Sequence, residues 1–388
     1  MQYYRMNPRY KKTSSGQTMT VILDLNNSDP TTWATYADDA VGMTAGSDAW
    51  DDFFGHYPCI LTRNGSEVGK LNRDNFAQYE DGTSAPITNY TTAGAFICFP
   101  RRGIKLEYLD ANTLSVSMTN EDNKEGYSYW AHSYSNSNAG YEHAVCDKFY
   151  LGVYKASMTD FSLWELSGQA PMTNRVINDF RTAAHTSHSV GFELSGFFQL
   201  TFRQVMYLLK YKGQNAQIAI GRGYVDGNSS AHATGGTNTR GMDWGETTGK
   251  DQMKLFGLED FYGNVYEFID GIYSDANRQI YVADGNFNDT GSGYTDAGTQ
   301  SFSTNISGSL RYPNGTNLAG FTGKYQAYGS DLTFFCDHLY LRNSRLALFG
   351  GDWSNASDAG VFNLYAGISP TGSNTNYGSR LMYMHVAS

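Results

Sequence analysis

The stretch GGDWSNASDAGVFNLYAGISPTGSNTNYGSR, residues 350–380, sits inside a longer one, 327–381, that contains no Lys, Glu, Gln or Met. The whole chain holds 12 Lys, 11 Glu, 12 Gln and 12 Met, 47 of 388 residues, so about six or seven would fall in 55 positions at uniform composition. The four absent types are ones that no NNC codon encodes. A segment whose AAC codons have been rewritten at their adenines would have this composition. Trp is the remaining type such rewriting cannot create, and its codon has no adenine to lose, so Trp353 would be a fixed point among replaceable neighbours. The same stretch is dense in Tyr, Asn, Ser, Gly and Asp. A binding surface of fixed specificity is also built from such side chains, because they give amphipathic contact at low entropy cost. Both readings point to recognition rather than catalysis.

Composition narrows the class. With 388 residues the chain is long enough for a large core or for two to three domains. At 17% charged and 15% aromatic residues it reads as a folded globular protein. A net charge of −10 argues against phosphate-backbone binding, which needs clustered Lys and Arg. No nucleic-acid partner is expected. The opening MQYYRMNPRYKK is polar and lacks the apolar core of a signal peptide, and no apolar run approaches bilayer length, so no membrane insertion is expected. The four cysteines, Cys59, Cys98, Cys146 and Cys336, form no CxxC pair and read as buried free thiols.

Along the chain, residues 1 to about 90 read as a small β-rich module for attachment or oligomerisation, containing WDDFFGHYPCIL (50–61) and an Asn64-Gly65 turn. Residues 91–388 read as a larger domain. GAFICFPRRGIKLEYLDANTLSVSMT (94–119) gives two strand-like runs joined around Asp110, Ala111 and Asn112, and FYLGVYKASM (149–158) another. Helices are predicted over 173–184 and over 201–210, the second with Phe202, Val205, Met206 and Leu209 on one face and Gly213 as its C-cap. From 214 onward, Gly, Asn, Ser and Thr predict loops pinned on short strands, where binding sites are commonly placed.

GLEDFYGNVYEFIDG (257–271) resembles the GL-x-D-x-x-GNV-x-EW signature of the formylglycine-generating-enzyme and sulfatase-modifying-factor group, which has a C-type-lectin-like fold. FICFPRRGI (96–104), FYLGVYKASM, LALFGGDWSN (346–355) and GSRLMYM (378–384) resemble further segments of that group in the same order. The resemblance implies an α+β, loop-rich C-type-lectin-like domain over roughly 92–388. That fold also hosts the variable proteins of diversity-generating retroelements, whose variable region has the form GG-x-W-x-x-G-x-x-AG-x-F-x-L and ends in G-x-R; residues 350–380 are similar to it. The remainder resembles tail-associated receptor-binding proteins of phages and prophages.

This resemblance implies a variable region at about 338–380 in which fixed side chains point inward and replaceable ones outward, as a strand or pinned loop requires. Gly350, Gly351, Trp353, Ala359, Gly360, Val361, Phe362, Leu364 and Arg380 are expected to be scaffold, with Trp353 and Phe362 anchoring loops by burial and Arg380 bonding loop carbonyls from below. Asp352, Ser354, Asn355, Asp358, Asn363, Tyr365, Gly367, Ile368 and Tyr377 are expected to face a ligand, extended upstream by Arg342, Asn343 and Arg345. Tyr365 and Tyr377 are the expected hot spots.

Catalytic constellations are poorly supported. A formylglycine-generating oxidase would need a reactive cysteine pair near its C-terminus, and Cys336 has no partner in that region of the sequence. His185 and His188 have one-turn spacing without an acidic third ligand close in sequence, and read as surface histidines. DGNFNDTGSGYTD (284–296) alternates Asp and Asn like a calcium loop, but Asp289 and Thr295 stand where an EF-hand needs Gly and Glu. A loosely built structural Ca²⁺ site is the one cofactor left open there. Asp243, Glu246, Glu259 and Glu267 read as carboxylates capping loops.

The expectation is a receptor-binding protein without catalysis, carried on a virion tail or on a bacterial surface. Its partners would be a host-surface protein or glycan and other tail proteins, and it would be a homo-oligomer, with a trimer the guess. The alternatives are a carbohydrate-binding module of fixed specificity and, more remotely, an oxidase.

Overall fold

The computed structural model describes residues 16–298, 306–324 and 329–387. The opening MQYYRMNPRYKK lies outside them. The chain is mostly strand and loop, arranged in three main sheets around one long helix, Phe197–Tyr211. That helix is buried on every side from Phe197 to Lys210, so the single apolar face expected from its periodicity is too modest. Its polar positions are buried with partners: Gln199 Nε2 donates to Ala131 O at 2.8 Å, Gln204 Nε2 to Val361 O at 2.9 Å, and Lys210 Nζ to Asp51 at 2.7 Å. It packs on Thr18–Asp24 and Thr113–Thr119 of a four-stranded sheet and on Tyr266–Ser274 of an eight-stranded sheet. Phe202 makes edge-on contacts with Phe99 and Phe149, on adjacent strands of the other eight-stranded sheet.

The helix ends at Lys212, which takes the left-handed conformation (φ 50°) and donates its N–H to Leu208 O at 3.0 Å. The expected stop at Gly213 is therefore one residue late. The last carbonyls of a helix have no partner within it. Here Tyr36 Oη donates to Leu209 O at 2.8 Å, Gly46 N to Lys210 O at 2.6 Å, and Trp33 Nε1 to Lys212 O at 2.7 Å. The segment expected to be a separate module thus caps the helix at the centre of the fold. Its strands are shared as well: Thr18–Asp24 pairs with Thr113–Thr119, and Tyr57–Leu61 with Gly94–Pro100. Hydrogen bonding and a common core therefore cross the boundary expected near 90.

Other expectations shift more modestly. WDDFFGHYPCIL begins in a short helix, Ala49–Phe54, and 94–119 forms three strands rather than two, Gly94–Pro100, Gly103–Tyr108 and Thr113–Thr119. The first predicted helix begins four residues late, at Ile177, and ends at His185. All four cysteines are free and buried. No helix among the described residues is long and apolar enough to cross a membrane.

The sheet that carries the 327–381 stretch runs in the order Thr295–Asp296, Ile280–Val282, Tyr266–Ser274, Arg345–Phe349, Leu364–Ile368, Phe335–Leu341, Ile306–Leu310. Tyr377–Gly378 adds a parallel pairing to the start of Tyr266–Ser274. One face meets the main core through Ala347, Phe349, Leu364, Ala366, Leu339 and Leu341. The opposite face is covered in part by Ile177–His185, whose Phe180 lies 5.7 Å from Phe268. Beyond that helix the face is open.

Candidate ligand-binding face

The open part of the sheet is made by two parallel strands with Tyr340 opposite Tyr365. Period-2 alternation places Leu339, Leu341, Leu364 and Ala366 in the core and leaves His338, Tyr340, Tyr365 and Gly367 partly exposed. The Tyr340 and Tyr365 rings stack with centroids 4.7 Å apart and planes 15° apart. Arg342 lies over Tyr340 at 5.0 Å from the ring centre, and His338 stacks beside it at 6.2 Å. A cation over a ring is worth about 0.5–1 kcal/mol at an exposed site. Across the sheet Tyr266 stands 6.2 Å from both Tyr365 and Tyr377. The result is a continuous aromatic stripe from His338 to Tyr377.

Gly367 makes that stripe possible. A Cβ there would lie 2.8 Å from Cε1 of both Tyr340 and Tyr365. It presents only backbone to the open side. Burial pushes the Tyr266 and Tyr377 phenols upward, so both stay neutral and keep their O–H groups.

The loop after Arg345–Phe349 supplies the other part of the face. Gly350 and Gly351 turn it with φ of 91° and 83°, which side chains with a Cβ rarely adopt. Ser354 and Asp358 are exposed and Asn355 is half-buried. Trp353 is half-buried too, and it is its backbone that is pinned: its N–H donates to Asn264 O and its carbonyl accepts from Asn228 N, both at 3.0 Å. Arg342 and Asn343 are exposed at the turn between strands, and Arg345 is half-buried with Nη1 donating to Ser344 O at 2.9 Å.

Three residues expected to face a ligand are instead buried. Asp352, 3% exposed, accepts from Ser354 N and Ser354 Oγ, both at 2.8 Å, and from Asn376 Nδ2. Asn363, 1% exposed, donates from Nδ2 to Asp358 O at 2.8 Å. Short Asp and Asn side chains readily bond nearby backbone, which turns them inward as loop braces. Ile368, 7% exposed, pairs opposite Leu346 and belongs to the same buried cluster as Leu346 and Leu348, so the buried positions of the strand run Leu364, Ala366, Ile368. His338, Tyr340, Tyr266 and Asn376 join the site without having been singled out from sequence. For two of them the signal was present: His338, Tyr340 and Arg342 recur at period 2.

The scaffold beneath is dense with charge. Arg380, fully buried, donates from Nη1 to the carbonyls of Gly152, Val153 and Tyr154 at 2.7–2.9 Å and from Nη2 to those of Glu259 and Asp260 at 2.8 and 3.2 Å. Its Nε meets Glu267 at 2.9 Å, and Lys155 Nζ and Arg203 Nη2 reach the same carboxylate at 3.1 and 3.5 Å. Burial alone would raise Glu267, but Lys155, Arg380 and Arg203 together hold it well below the usual carboxylate range. Asp337 accepts from Phe362 N at 2.7 Å and is pushed up to about 8 by burial. Gly360 is required there, since a Cβ would fall 2.1 Å from Asp337 Oδ1.

No family model matches the chain, and no curated protein matches it. Among solved structures it is similar to the Major Tropism Determinant P3c variant, at 14% identity over 89% of this chain and 74% of that one, with a TM-score of 0.31. It is also similar to Treponema denticola variable protein 1, at 13% identity over 77% of this chain and 100% of that one, with a TM-score of 0.33.

The remaining sequence candidates are placed as follows. His185 is exposed as expected, and His188 is less so. His185 Nε2 meets Glu193, an acidic neighbour on the next strand, at 2.8 Å, while His188 is half-buried beside Phe192. Glu259 does cap a loop, accepting from Gly235 N and Thr237 N at 2.6 and 2.8 Å, and Asp243 accepts from Phe256 N at 2.5 Å. Glu246 accepts from the Thr248 hydroxyl, whereas Glu267 belongs to the ionic cluster. In the 284–296 loop, Asn286 Oδ1 accepts from Ser137 N at 2.8 Å, Asn288 Oδ1 from Thr290 N at 3.0 Å, and Asp289 pairs with Arg181. Among the described residues no group of three or more His, Cys, Asp or Glu is arranged to hold a metal.

Proposed function

We propose that this protein is a receptor-binding protein whose outward face, on a C-type-lectin-like domain, is diversified by a retroelement and carried on a phage or prophage tail. The observation that carries the reading is a coincidence of composition and geometry. The 55 positions without Lys, Glu, Gln or Met include the two strands and the loops that build one open face. On that face the exposed or half-exposed residues His338, Tyr340, Arg342, Asn343, Ser354, Asn355, Asp358, Tyr365 and Tyr377 are all types that an NNC codon encodes.

The mechanism is binding without chemistry. Stacked Tyr rings with an Arg on one edge offer a flat amphipathic platform for protein or glycan, and aromatic and Arg side chains dominate interface energetics. Several copies on one particle, a trimer in the simplest case, would compensate for weak single sites through effective concentration. The 16–90 segment would then provide the attachment surface as well as caps for the central helix. A reading without oxidase chemistry is supported by Cys336, whose buried thiol is pushed up to about 12, away from the range of a reactive thiolate.

Nucleotide sequence tests diversification. The codons for 340, 342, 354, 355, 358 and 365 should align with AAC codons of a near-identical template repeat beside a reverse-transcriptase gene. Equal numbers of silent and non-adenine differences would favour a carbohydrate-binding module of fixed specificity. The binding role is tested by screening the protein against bacterial surface glycans and proteins, with Tyr340→Ala and Tyr365→Ala expected to lose any ligand found.

A further inference from the structure

A cavity of about 230 Å³ lies outside the 327–381 stretch, at the edge of the sheet formed by Thr295–Asp296 and Ile280–Val282, where Gly285 bridges to Ser135 of the Ser133–Asn136 strand. Tyr266–Ser274 and Arg345–Phe349 separate that edge from the Tyr365 strand, so the cavity is independent of the outward face. At its wall is Asp284, whose side chain is only 3% exposed. Oδ2 of Asp284 is engaged by His143 Nδ1 at 2.9 Å and by Ser133 Oγ. Oδ1 accepts no hydrogen bond from the described residues. Trp130, backed by Phe198 at 5.4 Å and 16° between planes, forms an apolar wall, and its indole N–H has no partner among the described residues. Glu142 stands at the rim, and no Lys or Arg is among the lining residues.

These features select a ligand class. A buried carboxylate with a free oxygen favours O–H donors, since hydrogen bonds to an ionised acceptor are roughly twice as strong as neutral ones. Two carboxylates without a Lys or Arg disfavour an acidic ligand. An aromatic wall suits the C–H face of a saturated ring. A cavity of roughly 150 Å³ already accepts benzene, so 230 Å³ has room for a six-membered ring with its substituents. We propose that this cavity binds one non-acidic sugar unit, its hydroxyls donating to Asp284 Oδ1 and Glu142 and its ring against Trp130. A neighbouring cavity of about 350 Å³ shares Trp130 and His143, and gives the rest of a glycan chain a way out.

Saturation-transfer NMR on the full chain with glucose, galactose and N-acetylglucosamine, and glucuronic acid as the acidic control, tests this. At least one neutral sugar should receive transfer, and glucuronic acid at least about tenfold less. Asp284→Asn should weaken binding about tenfold by removing the charged acceptor. Because Asp284 also holds Ser133 and His143, Ser292→Trp is the second variant: Ser292 is exposed at the mouth, and the larger side chain should block entry with the near-UV circular dichroism unchanged. Transfer that survives Ser292→Trp, transfer equal for glucuronic acid, or none from any neutral sugar would overturn the proposal. So would a signal abolished by Tyr340→Ala, which would place the sugar on the outward face instead.

Discussion

The two faces of the sheet formed by Arg345–Phe349, Leu364–Ile368 and Phe335–Leu341 are built from one segment under opposite constraints. Toward the core, Asp337, Leu339, Gly360, Phe362 and Leu364 fit into filled space. Toward the opening, Tyr340, Tyr365 and Gly367 meet one another and solvent. A face can be rewritten only where its neighbours do not depend on the particular side chain. The difference is sharpest at the two glycines, where an added Cβ at 360 meets a buried carboxylate and one at 367 meets the edges of half-exposed rings.

The strongest way to break this contrast is Arg380→Ala. It removes the donor to five backbone carbonyls and leaves Glu267 with two cationic partners instead of three. Removing one member of a buried ionic network costs about 3–5 kcal/mol, so urea unfolding should show a severe loss or the chain should fail to fold. A wild-type midpoint would mean that the charged cluster does not hold the inner face. The same cluster sets an acid limit. Glu267 has a depressed folded value, so its stability is present above the unfolded carboxylate range of about 4.3 and is lost as pH falls below it.

Asp337 has the opposite sign. Its folded value, pushed up to about 8, lies above the unfolded value of about 3.9. Its stabilising contribution is full below about pH 4 and is lost as pH rises through about 8. Asp337→Asn cannot ionise, so its unfolding free energy should fall less steeply between pH 5 and pH 9 than that of the wild type. Some dependence should remain, because burial also pushes Glu165 up to about 8 and Asp260 up to about 7. Identical slopes would show that Asp337 is not held protonated against the core.

Gly360→Ala and Gly367→Ala then compare the faces directly. The first drives a Cβ into Asp337 and should cost about 1–3 kcal/mol, as overpacking does. The second displaces two ring edges that solvent can accommodate, and should cost under about 1 kcal/mol. Equal costs in urea denaturation would erase the distinction.

Much of this contrast could be read from the chain, and the exceptions have physical causes. The inward positions of Gly351, Phe362 and Arg380 follow from special backbone angles, aromatic burial and a long multi-donor cation, each tied to residue type. Trp353 was expected to be buried and is held by its backbone instead. Asp352 and Asn363 look like surface residues, and become braces because the loop's own N–H and C=O groups lie within reach. Ile368 continues the buried alternation of Leu364 and Ala366, so its inward place is legible in the period-2 pattern once Leu364 is taken as scaffold. Tyr266 enters the site from another strand, and only the fold brings it beside Tyr365 and Tyr377. The sharing of the 16–90 segment was missed for a similar reason: strand pairing and helix capping by Trp33 and Tyr36 are long-range choices that local composition does not record.

The smallest stability effect belongs to the outward set, and it is the most informative. Ser354, Asn355 and Asp358 can be exchanged together with Arg342 and Tyr365 for other residues that NNC codons encode. Ser354, Asp358 and Arg342 are exposed, and single surface substitutions away from special features change stability by about 0.5 kcal/mol or less. Two members need care: Asn355 Oδ1 accepts from Asp352 N at 2.6 Å, and Tyr365 stacks on Tyr340. A five-fold exchange that keeps Asn355 as a hydrogen-bond acceptor, for instance Asn355→Asp, should therefore leave the unfolding midpoint nearly unchanged while abolishing binding to any ligand of the parent face. The same exchange applied to Asp352 and Asn363 should unfold the loop. If the outward exchange were as damaging as the inward one, the face would be part of the scaffold, and its composition would record packing rather than replaceability.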